Sequence, residues 1–495
     1  MKIDHSAAAD SGIHYRRAKT WQIALSQMNS GASMCFYILL TYASYVANSG
    51  YGIATAVVGI ILTLARVFDG ITDPIIALLI DKSNSKHGKI RFWLLGGWAW
   101  ESLAVCMLYI WASGKGHGIV MFLFLYIFYI IGYTMNNMCG QIIAPVMVND
   151  PKQRPLVGVW GTVYNYFIPM LMNLIFAMII LPRFGNQYTL DMLASCCKVT
   201  VAISFVLVVM SCIGVSHIDK PENFQNVSVG KKDKVKVKDM ISLLKSNRPL
   251  QMYIAAAASD KLAQQTATQS IVITMLYGIL IGNIQFSTML SVLAMLPSIA
   301  FAIIGGKYAG SHGSKEAITR WTWICIFISL ITIVFLSLID MKSIAVSMIP
   351  MVIFFALTLL INGCKMSVTT ATSSMCADVI DYEMARSGKF MPATVTATYS
   401  FLDKLISSLG AMIATACVAM IGYTNTMPQP TDPSTAAIKG MTLALFYGLP
   451  IIGWICTLIA MKFSPLSKEK MIEVQEKIAS EKTDAAVQET IKTAE

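Results

Sequence analysis

Two carboxylates one helical turn apart, Asp69 and Asp73, stand inside an apolar stretch, in Arg66-Val67-Phe68-Asp69-Gly70-Ile71-Thr72-Asp73-Pro74. On a helix they share one face about 6 Å apart. A helix opening near Thr55 carries Asp69 roughly 21 Å along its axis and leaves Asp73 about 12 Å from the far end at Asp81. Acids at such depth in a bilayer are costly and usually functional. Like charges that close cannot both ionise unaided, so the pair either shares a proton or binds a hard monovalent cation. Pro74 lacks an N–H and frees the carbonyl of Gly70 as a further oxygen. Arg66, three residues before Asp69, offers the opposite solution: an internal ion pair, with Asp73 satisfied by a neighbouring helix.

Other ionisable groups share the apolar surroundings. Lys404 lies about 17 Å into a helix starting near Ala393, where it could face the acids or hold an empty site neutral, while Asp403 points about 100° away to some other partner. Asp260, Lys261, Gln264, Gln265, Thr266, Thr268, Gln269 and Ser270 recur at three- and four-residue spacing. Such a face is either wet or hydrogen-bonded to other helices. Glu101 is a lone acid at mid-depth, readable as a second proton carrier or as a paired structural charge.

The elements that must position these groups are membrane helices. Hydrophobic residues make up 55% of the 495, charged residues 13%, and mean hydropathy is +0.61, which excludes a soluble globular chain. A span needs about 20 mostly apolar residues, and these occur at 23–47, 55–80, 92–111, 119–144, 157–181, 193–215, 249–281, 286–306, 318–339, 343–370, 393–422 and 440–463. The expected fold is all-α and integral to the membrane, with 12 transmembrane helices as two six-helix bundles, 1–215 and 249–463, separated by a linker at 216–248 and followed by a tail at 464–495. The net charge of +11 reflects topology rather than nucleic-acid binding. Lys82, Lys86, Lys89 and Arg91 follow the second span and Lys307, Lys315 and Arg320 the eighth, whereas loops 48–54 and 423–438 hold no Lys or Arg, so both termini are expected in the cytoplasm of a multi-pass cell-membrane protein. Ser85-Lys86-His87-Gly88-Lys89 is echoed by Ser311-His312-Gly313-Ser314-Lys315, which suggests duplication. The run Lys231 to Lys238 reads as a solvated linker, and Lys468 to Ile478 as a short surface helix. Cysteines lie mostly within apolar runs, without metal-type spacing, as buried thiols.

These residues resemble the glycoside-pentoside-hexuronide:cation symporters, the melibiose permease branch of the major facilitator superfamily, over nearly the whole chain. The matching pieces are Ala65 to Pro74 with Asp81 and Gly88-Lys89-Ile90-Arg91-Phe92-Trp93, Asn149-Asp150-Pro151 with Arg154, Asn247-Arg248-Pro249-Leu250, Ala377-Asp378-Val379-Ile380-Asp381-Tyr382-Glu383, and Lys404. The resemblance implies that Asp69 and Asp73 are the coupling-cation carboxylates with Thr72 and Thr134 nearby, and that Lys404 bridges the halves. Where melibiose-type carriers hold sugar hydroxyls with acids and an arginine, this chain aligns Asn29, Asn137 and Thr162. Loss of those charges, with Lys261 and Lys404 retained, raises an anionic hexuronide as substrate. Asn29, Asn137, Gln141, Tyr164 and Asn165 can equally hydrogen-bond a neutral glycoside, and Thr162, Asp260, Lys261 and Gln264 complete the candidate substrate residues. Thr72 replaces an asparagine of the sodium-using carriers, so sodium and protons both stand as coupling ions.

The reading is symport of a sugar or glycoside with Na+ or H+ by alternating access, without a cofactor, in a protein working as a monomer in the lipid bilayer. Arg66 and Lys404 are the candidate coupling residues. Rivals are a lysolipid symporter on the same scaffold and a sugar sensor that transports nothing. An intramembrane enzyme has no support, since no Ser/His/Asp set, metal motif or phosphate loop is present.

Overall fold

The computed structural model describes residues 18–83, 90–147, 154–219, 237–387, 392–478 and 480, and these form helices without any strand. Ten helices among them are long and apolar enough to cross a membrane. The chain divides into two compact units, Met1–Lys234 with Asn425–Met427, and Val235–Thr424 with Pro428–Glu495.

The N-terminal unit holds α1 (Thr20–Leu40), α2 (Thr55–Lys82), α3 (Ile90–Trp111), α4 (Gly118–Met147), α5 (Leu156–Phe184) and α6 (Leu190–Val215). All but α2 are among the ten; α2 carries Arg66, Asp69 and Asp73, and its 28 residues make an unbroken helix about 42 Å long. Its neighbours close on small residues. A Cβ on Gly97 of α3 would lie 3.1 Å from the backbone N of Asn136, and one on Gly132 of α4 would lie 2.8 Å from that of Glu101. The helices therefore meet backbone to backbone, as small residues permit in a lipid environment. Asp219, 2% exposed, caps the start of α3, accepting from the N–H groups of Ile90 at 2.9 Å and Arg91 at 3.0 Å and from Arg91 Nε at 3.1 Å. This anchors the end of the unit where Ile80, Ile90, Ile143, Met147 and Val215 form an apolar core.

The C-terminal unit holds α7 (Val237–Ser246), α8 (Arg248–Ala267), α9 (Ser270–Leu280), α10 (Gln285–His312), α11 (Ser314–Leu338), α12 (Met348–Ser387), α13 (Pro392–Met420) and α14 (Ala436–Phe463). A final helix, α15, covers 468–478. The surface helix expected there thus forms, docked by Val474 and Ile478 on Ala385.

Two expected spans are corrected. The seventh, 249–281, breaks into α8 and α9 at Thr268 and Gln269, whose side chains turn back onto the helix: Thr268 Oγ1 donates to the carbonyl of Gln264 at 3.0 Å and Gln269 Nε2 to that of Gln265 at 3.0 Å. Hydroxyl and amide side chains that compete for backbone groups disfavour helix continuation. The tenth, 343–370, is interrupted at Ser347, which is extended, and then runs as α12 for 40 residues, about 60 Å, well beyond a bilayer core. The extra length carries Glu383 to Asn247, whose Nδ2 donates to Glu383 Oε2 at 2.7 Å while its Oδ1 accepts from the N–H of Leu250 at 2.8 Å. Arg386 forks onto the same carboxylate at 3.0 Å through both Nε and an Nη. Two motif fragments separated in sequence are thereby one buried cluster.

The cysteines described are free thiols, most of them buried. The lysine run at 231–236, the segment 84–89 with its share of the loop echo, and Asn149-Asp150-Pro151 lie outside the described residues.

Candidate functional site

In the N-terminal unit a narrow cavity of about 20 Å³, room for about one water molecule, is lined by Tyr37 and Leu40 of α1, Arg66 and Asp69 of α2, and Tyr126, Tyr129, Ile130 and Tyr133 of α4. Asp69 is 8% exposed, and its Oδ1 accepts from Thr134 Oγ1 at 3.0 Å. Thr72 Oγ1 donates to the carbonyl of Asp69 at 3.0 Å and lies 3.4 Å from Thr134 Oγ1. Oxygens of a carboxylate and two hydroxyls thus converge from α2 and α4. Arg66 is one turn away on α2, exposed to the same cavity and in electrostatic contact with Asp69. Asp73 lies within the helical backbone of α2, but its side chain, like those of Pro74 and Gln141, is outside the described residues.

The tyrosines were not singled out by sequence. Tyr126, Tyr129 and Tyr133 recur at helical spacing on α4, with ring centroids 6.1 Å apart for the first pair and 5.9 Å for the second. A stripe of that spacing is the ordinary signature of a packed helix face. Only the cavity shows that this face of α4 stands beside an arginine and an acid.

The candidate substrate residues of this unit do not gather in one place. Asn29 is 4% exposed and wedged between α1 and α4, its Nδ2 donating to the carbonyl of Asn136 at 3.4 Å. Asn137 lies beside Tyr133. Thr162 and Asn165 are exposed on α5, with Thr162 Oγ1 donating back to the carbonyl of Gly158 at 2.9 Å. Tyr164 stacks on Trp160 with centroids 6.0 Å apart.

In the C-terminal unit the polar stripe of α8 divides its partners. Lys261 Nζ meets Asp403 Oδ2 at 2.6 Å, which supplies the partner that the sequence left open for Asp403. Asp260 accepts from Trp454 Nε1 and from Gln264 Nε2, each at 2.7 Å. Lys365 of α12, a lone lysine in an apolar run, stands 5.6 Å from the centroid of the Trp454 ring and in the field of Asp260. The reasoning that singled out Lys404 applies equally to Lys365. Lys404 is exposed on α13. No group of three or more His, Cys, Asp or Glu side chains able to hold a metal occurs among the described residues.

The signature of MFS/sugar transport proteins matches residues 26–468. The chain is 24% identical over 448 residues to the Escherichia coli protein named "Putative glycoside/cation symporter YagG", covering 87% of each. It is 22% identical over 486 residues to the isoprimeverose transporter of Lactiplantibacillus pentosus, covering 96% of this chain and 95% of the other. Among solved structures, the nucleoside transporter NupG superposes with a TM-score of 0.56 at 11% identity, over 90% of this chain and 100% of that one. A bacterial homolog of the human lysosomal transporter Spinster, inward-facing and unoccupied, gives 0.59 at 12%, over 92% and 97%. These two likenesses show the fold alone. With its signature matched over most of its length and its helices packed as in known transporters of this superfamily, the chain belongs to the MFS/sugar transport protein family and is a multi-pass inner-membrane protein that carries a small molecule by secondary active transport rather than transforming it.

Proposed function

We propose that the protein is a glycoside symporter coupled to Na+ or H+, in the manner of the glycoside-pentoside-hexuronide family. Its architecture in this reading is twelve spans in two six-helix bundles, 1–215 and 249–463, with α2 and the broken α8–α9 pair completing the count. The linker 216–248, the tail 464–495 and both termini face the cytoplasm.

The observation that carries the reading is the meeting of Asp69, Thr72 and Thr134 beside a cavity, with oxygen separations of 3.0 to 3.4 Å. Oxygens bound to one hard cation at about 2.4 Å lie about 3.4 Å apart across an octahedral edge, so this trio suits either a small cation or a shared proton. Asp73 is the second carboxylate of the set. An ion or proton on it neutralises the acids, and substrate binding in the neutral state lets the transporter change its facing. Arg66, one turn away on the same helix, and Lys404 are the proposed coupling residues.

Glycosides are favoured by the names of the relatives, a glycoside/cation symporter and an isoprimeverose transporter. A neutral glycoside is favoured over a hexuronide because Lys261, one of the two cations that recommended an anionic substrate, is committed to Asp403 at 2.6 Å. Asn137, Gln141, Thr162, Tyr164, Asn165 and Gln264 remain the proposed sugar contacts. The test is uptake by proteoliposomes under separately imposed sodium and pH gradients, with neutral glycosides and glucuronides side by side. Asp69→Asn is expected to abolish uphill accumulation. Full uphill uptake by this variant would defeat the mechanism, and no flux of any sugar would leave the sensor reading.

A further inference from the structure

Glu101 of α3 is 0% exposed and sits where α3 and α4 approach backbone to backbone at Gly132. Its Oε2 accepts from Asn136 Nδ2 at 3.4 Å, and its Oε1 has no hydrogen-bond partner. The groups that face it are Asn136, Tyr129 and Tyr133 of α4 and Cys35 of α1. From α6, Cys196 and Cys197 stand instead by Cys106 and Tyr109, farther along α3. No base among the described residues pairs with it. An ionised carboxylate enclosed this way has neither water nor a cation to hold it, so the group carries its proton.

A permanently protonated structural acid is normally satisfied by its surroundings. Here the surroundings are themselves unsatisfied: Asn29 Oδ1 and Ser33 Oγ on α1, Ser102 Oγ on α3, and Tyr129 Oη and Asn136 Oδ1 on α4 are all buried without a partner. The strip is continuous, since Asn29 bonds to Asn136 and Asn136 to Glu101. Tyr129 joins it to the neighbouring site, for it lies against Glu101 and also lines the cavity of Arg66 and Asp69, while its hydroxyl is enclosed, so that exchange waits on a local opening toward that cavity.

We propose that Glu101 is a second ion-coupling site, a proton-binding carboxyl that exchanges its proton through the Tyr129 hydroxyl with water in the Arg66–Asp69 cavity. In the forward step the O–H bond of Glu101 breaks as the Tyr129 oxygen takes that proton. The original hydroxyl proton of Tyr129 passes to a water molecule, which leaves as hydronium. The carboxylate left behind keeps its hydrogen bond from Asn136, and the reverse sequence reloads it. The inference rests on the ion-coupled reading only for its use in transport; the proton exchange itself does not.

The test is infrared difference spectroscopy of the full-length protein in liposomes between acidic and alkaline buffer, read at the carbonyl stretch of protonated carboxyl groups. The wild type is expected to show a band that disappears at alkaline pH, absent in Glu101→Gln and retained in Asp69→Asn. In heavy water the band should shift by deuterium exchange, and Tyr129→Phe should slow that shift at least about tenfold. A Glu101→Gln spectrum identical to wild type would overturn the proposal, as would a Glu101 band that neither titrates nor exchanges. A titrating band in a protein that takes up no glycoside under either gradient would sink the proposed function and leave this inference standing. Loss of uphill uptake in Asp69→Asn without any Glu101 band would do the reverse.

Discussion

Removing Lys261 tests whether the polar face of α8 is a structural joint or a substrate anchor. Its ammonium lies 2.6 Å from Asp403 Oδ2, with the lysine side chain 46% exposed and the aspartate 8%. Asp403 Oδ1 already lacks a hydrogen-bond partner, so Lys261→Met strips the carboxylate of its ion pair. Breaking a fully buried pair costs about 3–5 kcal/mol, whereas an exposed one contributes about 0–1 kcal/mol. One half-exposed partner places this pair between those limits, at about 2 kcal/mol. For a unit of this size that corresponds to a loss of about 4–8 °C in melting temperature. Asp403→Leu strands the lysine instead, which can reach water, and should cost less. The double variant Lys261→Met with Asp403→Leu removes both charges and should recover most of the loss, a coupling of about 1–2 kcal/mol. The assay is thermal unfolding of the four proteins in detergent, with neutral-glycoside and glucuronide uptake measured in parallel. A double variant as unstable as the sum of the singles would refute the pairing. Glucuronide uptake that vanishes with Lys261 while neutral uptake survives in the double variant would return the lysine to the substrate.

Thr134→Ala removes the hydroxyl that donates to Asp69 at 3.0 Å; a hydrogen bond to a charged group is worth about 1.5–3 kcal/mol and favours the ionised carboxylate, so in uptake titrations the apparent affinity for a coupling proton should rise at least about tenfold, whereas that for sodium, which loses a ligand oxygen, should fall. Gly132→Ala places a methyl 2.8 Å from the backbone N of Glu101 and should cost about 1–3 kcal/mol by forcing α3 from α4, read as a lowered melting temperature. Asp219→Asn halves the acceptor capacity that caps α3 and holds Arg91, with an expected loss of about 1–2 kcal/mol in the same assay.

Much of this protein is legible along the chain because the membrane imposes a local rule. Any span must be about 20 apolar residues long, and any acid within one must justify itself. That rule finds the helices and marks Asp69, Asp73, Glu101, Asp260 and Lys404 without a partner in view. It falters at 249–281, where the average hides the break at Thr268, and at 343–370, where the apolar run ends well before the helix does.

The sequence by itself determined that this is a membrane helix assembly and that α2 carries acids one turn apart within an apolar stretch, because apolar length and spacing on one helix are properties of neighbouring residues. The tertiary structure alone decided who meets whom: Asp69 with Thr134, Asp403 with Lys261 rather than a sugar, Glu383 with Asn247, and Glu101 with an amide and a tyrosine instead of a base. Those choices depend on the rotation and depth of helices far apart in the chain, set by glycine contacts and packed cores, and no local pattern records them.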